Sequence, residues 1–150
     1  MHLYFMNEAL KEANKARKKN EVPVGAVVTK NGEILSRAHN LRENKKDALA
    51  HAELLAILKA CKKLSSWRLE GCEVYITLEP CPMCAGALFQ ARVKAVYYGV
   101  SDPKAGVVSL GIPIHNNPQL NHRYPLTCLN IKECGNILSS FFARRRKESK

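Results

Sequence analysis

No apolar run in the chain approaches the roughly 20 residues that a bilayer-crossing helix requires, so a membrane-spanning helix is not expected. Met1 to Met6 run straight into Asn7-Glu8 without a basic leader, and a signal peptide is not expected either. Internal repeats, low-complexity linkers and lipidation motifs are absent, so nothing argues for dividing the chain or anchoring it to lipid. Acidic residues are scarce: 13 Asp and Glu stand against 24 Lys and Arg, a net charge of +11. Such an excess favours a polyanionic partner, although runs of charge are also ordinary solvated faces. The cations gather at Lys15 to Lys19, Arg42 to Lys46 and Arg144 to Lys147. No aromatic-rich amphipathic anchor accompanies them, which favours nucleic acid over a membrane surface.

What is present fits one compact domain spanning 1–150, since 150 residues that are 46% hydrophobic can bury a real core. Six cysteines could make three disulfides. Two of them sit in Cys-x-x-Cys, however, and a domain of this size needs no stapling, so a reducing, cytoplasmic setting is expected.

Met6, Ala9, Leu10, Ala13 and Ala16 fall at helical spacing and predict a first amphipathic helix, ended by Pro23. Val24 to Thr29 and Ile34-Leu35 flank Asn31-Gly32, a pair suited to a type I′ hairpin turn because both positions require positive φ. Asp47 is the expected N-cap of a second helix with the apolar stripe Leu54, Ile57, Leu58 and Cys61. Val74 to Leu78 predicts a buried strand, Pro82 the first turn of a third helix, and Val96 to Val100 another strand. Ser101 to Arg123, rich in Gly, Pro and Asn, predicts loops, and Tyr124 to Leu129 a short strand. Asn130 and Glu133 have capping-box spacing before a last helix whose apolar face is Ile131, Cys134, Leu138 and Phe141. A hairpin followed by alternating strands and helices predicts an α/β fold, a mixed sheet covered on both faces.

The chemistry-bearing pattern is His51-Ala52-Glu53, followed by Pro80-Cys81-Pro82-Met83-Cys84. One imidazole and two thiols make three good zinc ligands, and the carboxylate of Glu53 can move protons. Catalytic zinc sites supply three protein ligands and leave a place for water, whereas structural sites usually fill all four. A structural reading stays open: Cys-x-x-Cys alone is often structural zinc or a redox pair, and Cys128 and Cys134 could complete a four-thiolate site. That reading leaves His51-Ala52-Glu53 unexplained. Residues two apart on a regular helix face roughly opposite ways, so His51 and Glu53 converge only near a helix start, with Glu53 curling back.

The order His-x-Glu…Pro-Cys-x-x-Cys resembles the signature of zinc-dependent nucleobase deaminases. Pro23 to Val28, His51-Ala52-Glu53, Thr77 to Ala87, Asn121-His122-Arg123 and Phe141-Phe142 together resemble the bacterial tRNA-specific adenosine deaminases, the TadA family of the zinc-dependent cytidine/deoxycytidylate deaminase superfamily. The similarity runs in register from the first helix to the basic tail. It implies a cytidine-deaminase-like three-layer α/β/α sandwich with about five strands. It further implies one Zn2+ per subunit and no organic cofactor, with His51, Cys81 and Cys84 as ligands and Glu53 as proton shuttle. The implied reaction is hydrolytic conversion of adenosine to inosine at the wobble position of a tRNA anticodon, in most bacteria an arginine tRNA.

By the same resemblance the active form is a homodimer whose two subunits both contact the anticodon stem-loop. Asn40 hydrogen-bonds the target base and Ala52 lines its pocket through the backbone. Asp102 and Lys104 lie in a loop near the anticodon, and Phe142, Arg144 and Arg145 belong to a substrate-contacting helix. The plain alternatives are a turn-terminating Asn40 and a core Phe142. Two departures from the family pattern concern loops: Lys104-Ala105-Gly106 replaces Lys-Thr-Gly, and His115-Asn116-Asn117-Pro118 replaces a segment richer in His and Gly. Two rival readings keep the metal site: a deaminase of a free base or nucleoside such as guanine or cytosine, and a non-catalytic zinc-stabilised RNA-binding subunit.

Overall fold

The structure, a computed structural model, describes residues 1–149. Asn31 and Gly32 adopt φ of 52° and 79°, forming the two-residue turn that joins β1 (Gly25–Lys30) to β2 (Glu33–His39). Positive φ at both positions is the type I′ geometry that Asn-Gly favours. A bulge follows, because Val28 pairs with Ser36 while Thr29 pairs with Ile34. β3 (Cys72–Leu78) lies antiparallel on the other side of β1. β4 (Ala95–Val100) and β5 (Leu126–Cys128) then continue in parallel, giving the order β2-β1-β3-β4-β5. The expected mixed five-stranded sheet is therefore present.

Strand alternation sends successive side chains to opposite faces, and two cores result. On one face Ala26, Val28, Val74, Ile76 and Val96 pack against α3 (Ala52–Leu64) and α4 (Pro82–Gln90). On the other, Val27 and Tyr75 meet Phe5, Met6 and Ala9 of α1 (His2–Lys18) and Cys134 of α5 (Lys132–Glu148). Helices cover both faces, as the three-layer architecture requires. Gly25 lets α1 lie directly on the sheet, since a Cβ there would collide with the backbone of Ala9 and Ala13. From 101 to 125 no helix or strand forms, as expected of that Gly-, Pro- and Asn-rich stretch.

Three local expectations are corrected. Asp47 does not cap the second long helix; its Oδ1 accepts the Leu49 amide at 2.9 Å in a local turn, and His51 occupies the N-cap of α3. The apolar stripe is also reassigned. α3 buries the small residues Ala52, Ala56 and Ala60 with Ile57, whereas Leu58 is 66% exposed and Leu54 and Cys61 are half-buried. Close helix-to-sheet packing selects the narrow Ala face, and hydrophobicity alone could not rank the two faces. Asn130 takes a left-handed φ of 55° as a turn residue, and Ile131 is the N-cap of α5 with no side-chain cap bond. One element lacked a sequence signal: the four-residue α2 (Arg42–Lys45), inside a stretch that reads only as a basic cluster.

Candidate metal centre and active-site cleft

The N-termini of α3 and α4 converge beside β3. His51 is the N-cap of α3 with φ −74° and ψ 150°, an extended residue outside the helix. The opposite-facing rule for positions two apart therefore does not apply, and Glu53, in the first helical turn, lines the same cleft as His51. Cys81 is the N-cap of α4, Pro82 opens the helix, and Cys84 lies in its first turn. Pro82 fits because the amide it lacks has no partner within the helix.

His51 Nδ1 stands 3.8 Å from Cys81 Sγ and 3.5 Å from Cys84 Sγ, and the three atoms lie within 4.8 Å of one another. A tetrahedral ion with bonds of about 2.0 Å to nitrogen and 2.3 Å to sulfur sets such atoms about 3.6 Å apart. The residues thus fit a metal of zinc's size and preference. Among the described residues this is the group of three or more able to hold one. The four-thiolate alternative fails, because Cys134 belongs to the core on the far side of the sheet and Cys128 contacts Gly99 and Asn130. Cys72 and Cys134 are buried as small core residues, while Cys61 and Cys128 are only half-buried.

The donors are electrostatically suited to a cation. The Cys84 thiol donates to Cys81 and holds its pKa down to about 4 against burial, with His51 assisting. Cys84, as the donor and buried, is pushed up. Binding a divalent ion would displace that remaining proton, since coordination deprotonates a thiol outright. The Glu53 carboxyl is pushed above the usual carboxylate range by burial, which its own amide and His51 partly offset. A raised carboxyl in a cleft beside ligating groups can both accept and return a proton.

The cleft above this trio has a volume of about 200 Å³ and is lined by Asn40, Arg42, Ala52, Glu53, Asp102 and Ala105, among others. That is small beside the roughly 300–1,000 Å³ of sites for drug-sized ligands, so it suits one flat ring. Asn40 is buried, with its Oδ1 accepting the Arg42 amide and its Nδ2 donating to Val22 O, both at 3.2 Å. The turn-terminating role and the place in the cleft are therefore both present, and one Nδ2 hydrogen is left to face a ligand. Asp102 Oδ1 accepts the amides of Lys104 and Ala105, shaping the loop rather than reaching freely.

A larger groove of about 790 Å³ adjoins the cleft, sharing Val22, Leu78 and Asp102 with it. Lys104, Phe142, Arg145 and Arg146 line it. Phe142 is 41% exposed, unlike the buried Phe141, so it is not a core residue. Arg145 Nη2 donates to Asn20 O at 3.1 Å. Arg144 instead faces Glu148, Nε to Oε1 at 3.7 Å, and the groove cation not anticipated from sequence is Arg146.

A second unanticipated residue is Glu79. It is 3% exposed, and its carboxylate accepts the amides of Asp102, Val108 and Ser109 and the Ser109 hydroxyl at 2.6–2.9 Å. Burial pushes its pKa up, but these bonds outweigh burial and hold it below the usual range. Gly106 admits the close approach, for a Cβ there would overlap the Glu79 carboxylate. The available sequence signal was an acid immediately after the last residue of β3.

Comparison with known proteins agrees with this geometry. The model of a family described as MafB19-like deaminase matches residues 1–146. The tRNA-specific adenosine deaminase of Bacillus subtilis is 50% identical over 147 residues, 97% of this chain and 91% of the relative. The chain belongs to the tRNA-specific adenosine deaminase family. A solved structure from work on A-to-I editing by tRNA:A34 deaminases at the wobble position superimposes with a TM-score of 0.86 at 40% identity, covering 91% of this chain and 99% of that one. Guanine deaminase of Bacillus subtilis shares the fold at a TM-score of 0.67 and 33% identity, covering 97% of this chain and 94% of that one. Relatives of this deaminase family therefore include a free-base enzyme, and substrate choice must come from the surroundings of the metal trio.

Proposed function

We propose that this chain hydrolytically deaminates adenosine to inosine at the wobble position of a tRNA anticodon, with an arginine tRNA as substrate. The observation that carries the reading is a cleft sized for one base, holding three metal-ligand atoms and a buried carboxyl, which continues into a groove lined by cations and an exposed Phe142. A free base needs no such groove. A loop nucleotide does, because its unstacked base enters a pocket while its neighbours need stacking and charge neutralisation.

His51, Cys81 and Cys84 would hold Zn2+, which supplies water activated to attack at neutral pH. Glu53 would take one proton from the attacking water and deliver it to the ring nitrogen beside the attacked carbon. It would then take the second proton from the hydroxyl now on that carbon and hand it to the departing amine, so that water and adenosine become inosine and ammonia. Asn40 and the Ala52 backbone orient the base, and Asp102 shapes the loop beside it. The groove cations Lys104, Arg145 and Arg146 neutralise flanking phosphates, and Arg144 adds its charge from the same helix as the two arginines. The deciding assay offers the purified protein an arginine anticodon stem-loop alongside free adenosine, guanine and cytidine. Inosine in the stem-loop alone supports the proposal; turnover of a free base alone overturns it.

Removing residues 143–150 takes away Arg144 to Lys147. Every phosphate that goes unneutralised takes about 0.7 off the salt slope on single strands. The truncated protein should therefore show KM for the stem-loop raised about tenfold, a salt slope shallower by up to about 3 if all four cations meet phosphates, and unchanged zinc content. An unaltered KM and salt slope would remove the tail from the RNA-binding surface.

The proposal includes a homodimer. Leu49, Leu58 and Trp67 are each 58–66% exposed around an apolar depression of about 520 Å³ on α3. Burying them against a second copy removes this surface from water, which isolated chains cannot do. Leu58→Glu should convert a dimeric mass in sedimentation to a monomeric one; a monomeric parent would remove this part of the reading. A cytoplasmic location follows from the substrate, and it is supported by six unpaired cysteines. No helix among the described residues is long and apolar enough to cross a membrane.

A further inference from the structure

Glu21 lies outside the metal trio, does not itself line the cleft and is completely buried, at 0% exposure. A carboxylate removed from water is destabilising unless its lone pairs are met by donors. Here all three donors come from one place. Glu21 Oε1 accepts the Glu43 amide at 3.1 Å, and Oε2 accepts the Asn44 amide and the Asn44 side-chain amide, both at 2.7 Å. Glu43 and Asn44 belong to the first turn of α2, a helix of four residues with no buried side chain. A helix that short is not stable by its own hydrogen bonds, because its first amides have no internal partners. Packing cannot hold it either. Its amides are instead capped by side chains outside the helix: Arg42 by the nearby Asn40 Oδ1, and Glu43 and Asn44 by the distant Glu21.

That arrangement ties α2 to the cleft. Asn40 and Arg42 are both lining residues, and the bond between them fixes which end of the Asn40 amide faces α2. If α2 is released, the Arg42 amide no longer holds Asn40 Oδ1, and the single bond from Nδ2 to Val22 O is left to set how the amide sits in the cleft. We propose that Glu21 is a positioning residue for substrate: by capping α2 from within the core, it fixes Asn40 and Arg42 as one wall of the base cleft. Arg145 of the tail helix reaches the same junction through its bond to the Asn20 carbonyl, next to Glu21. The proposal rests on the adenosine-deaminase reading for its kinetic consequence and on geometry alone for its structural one.

Two measurements on the zinc-loaded, full-length protein separate those parts. Glu21→Gln keeps the side chain's size but turns one acceptor into a donor facing the α2 amides. Hydrogen exchange at Glu43 and Asn44 should accelerate more than tenfold, while exchange in β1 and β3 and the zinc content stay as in the parent. Stem-loop kcat/KM should fall about tenfold, with most of the change in KM. In an Asn40→Ala background the same substitution should cost less than twofold, because the residue it acts through is gone. A purely structural role predicts instead a general loss of stability and full multiplication with Asn40→Ala. Unchanged exchange at Glu43 and Asn44, or fully multiplicative kinetics, overturns the proposal. If the parent itself makes no inosine, the functional reading fails while the exchange result still judges Glu21. If Glu21→Gln does not fold, Asn44→Ala, which removes one of the three donors without stranding a buried charge, should raise KM about threefold; no change there overturns the proposal equally.

Discussion

Glu53→Gln is expected to lower inosine formation in an anticodon stem-loop by more than about 10²-fold, with zinc content, folding and RNA binding close to the parent's. The substitution preserves shape in a position that is 4% exposed, so packing is not the cause of the loss. What disappears is a group able to hold and release a proton at each step of the turnover. Acid–base assistance of this kind is worth roughly 10²–10⁴ in rate, about 2.7–5.5 kcal/mol of barrier. The amide has no ionised form to desolvate in that buried position, so the variant should melt no lower than the parent. Mass spectrometry of digested stem-loop measures the first quantity, and metal analysis and thermal unfolding measure the others. A variant as active as the parent would leave Glu53 without its role. A parent with no activity on any base would favour the non-catalytic RNA-binding subunit.

Cys84→Ala should fail differently. Its sulfur is fully buried beside His51 Nδ1 at 3.5 Å, with no neighbouring thiol among the described residues placed to replace it. Four-ligand zinc sites in small peptides bind with about 10–16 kcal/mol, so one ligand is worth roughly 2.5–4 kcal/mol, or 10²–10³-fold in affinity. Purified Cys84→Ala is expected to carry well under half an equivalent of zinc after dialysis, to lose activity at least as completely as Glu53→Gln, and to unfold at lower temperature. The contrast between the two variants is the informative result. On the proposed roles, one variant would keep the metal and lose the proton shuttle, and the other would lose the metal itself. Full zinc occupancy in Cys84→Ala would remove it from the ligand set.

Much of this was legible because some residues act through their covalent character. Asn31-Gly32 is a type I′ turn because of what its backbone tolerates, and Pro82 starts a helix because it has no amide to leave unpaired. The metal trio was legible for a related reason, since few uses explain an imidazole, a carboxylate and two thiols in that order. The failures share a different cause. Asp47 and Asn130 are both good capping residues by type, yet each serves a turn, because competition for a cap is decided by where the chain already lies. The buried face of α3 departs from the apolar stripe since Leu58 is the more hydrophobic residue and Ala56 the one that fits against the sheet. Glu21 and Glu79 gave almost no signal at all. Their partners are backbone amides 22 to 30 residues away, and an amide is present at nearly every position of any sequence.

The order of residues alone pointed to the group able to hold a metal, the hairpin, the alternation of strands and helices and the family, because these depend on local chemistry and on pattern. Folding decided the rest. It made His51 an extended N-cap so that it and Glu53 share one cleft, joined that cleft to a cationic groove, and buried the carboxylates of Glu21 and Glu79 against distant amides. Those outcomes depend on which distant amides and helix ends meet, and only packing in three dimensions brings them together.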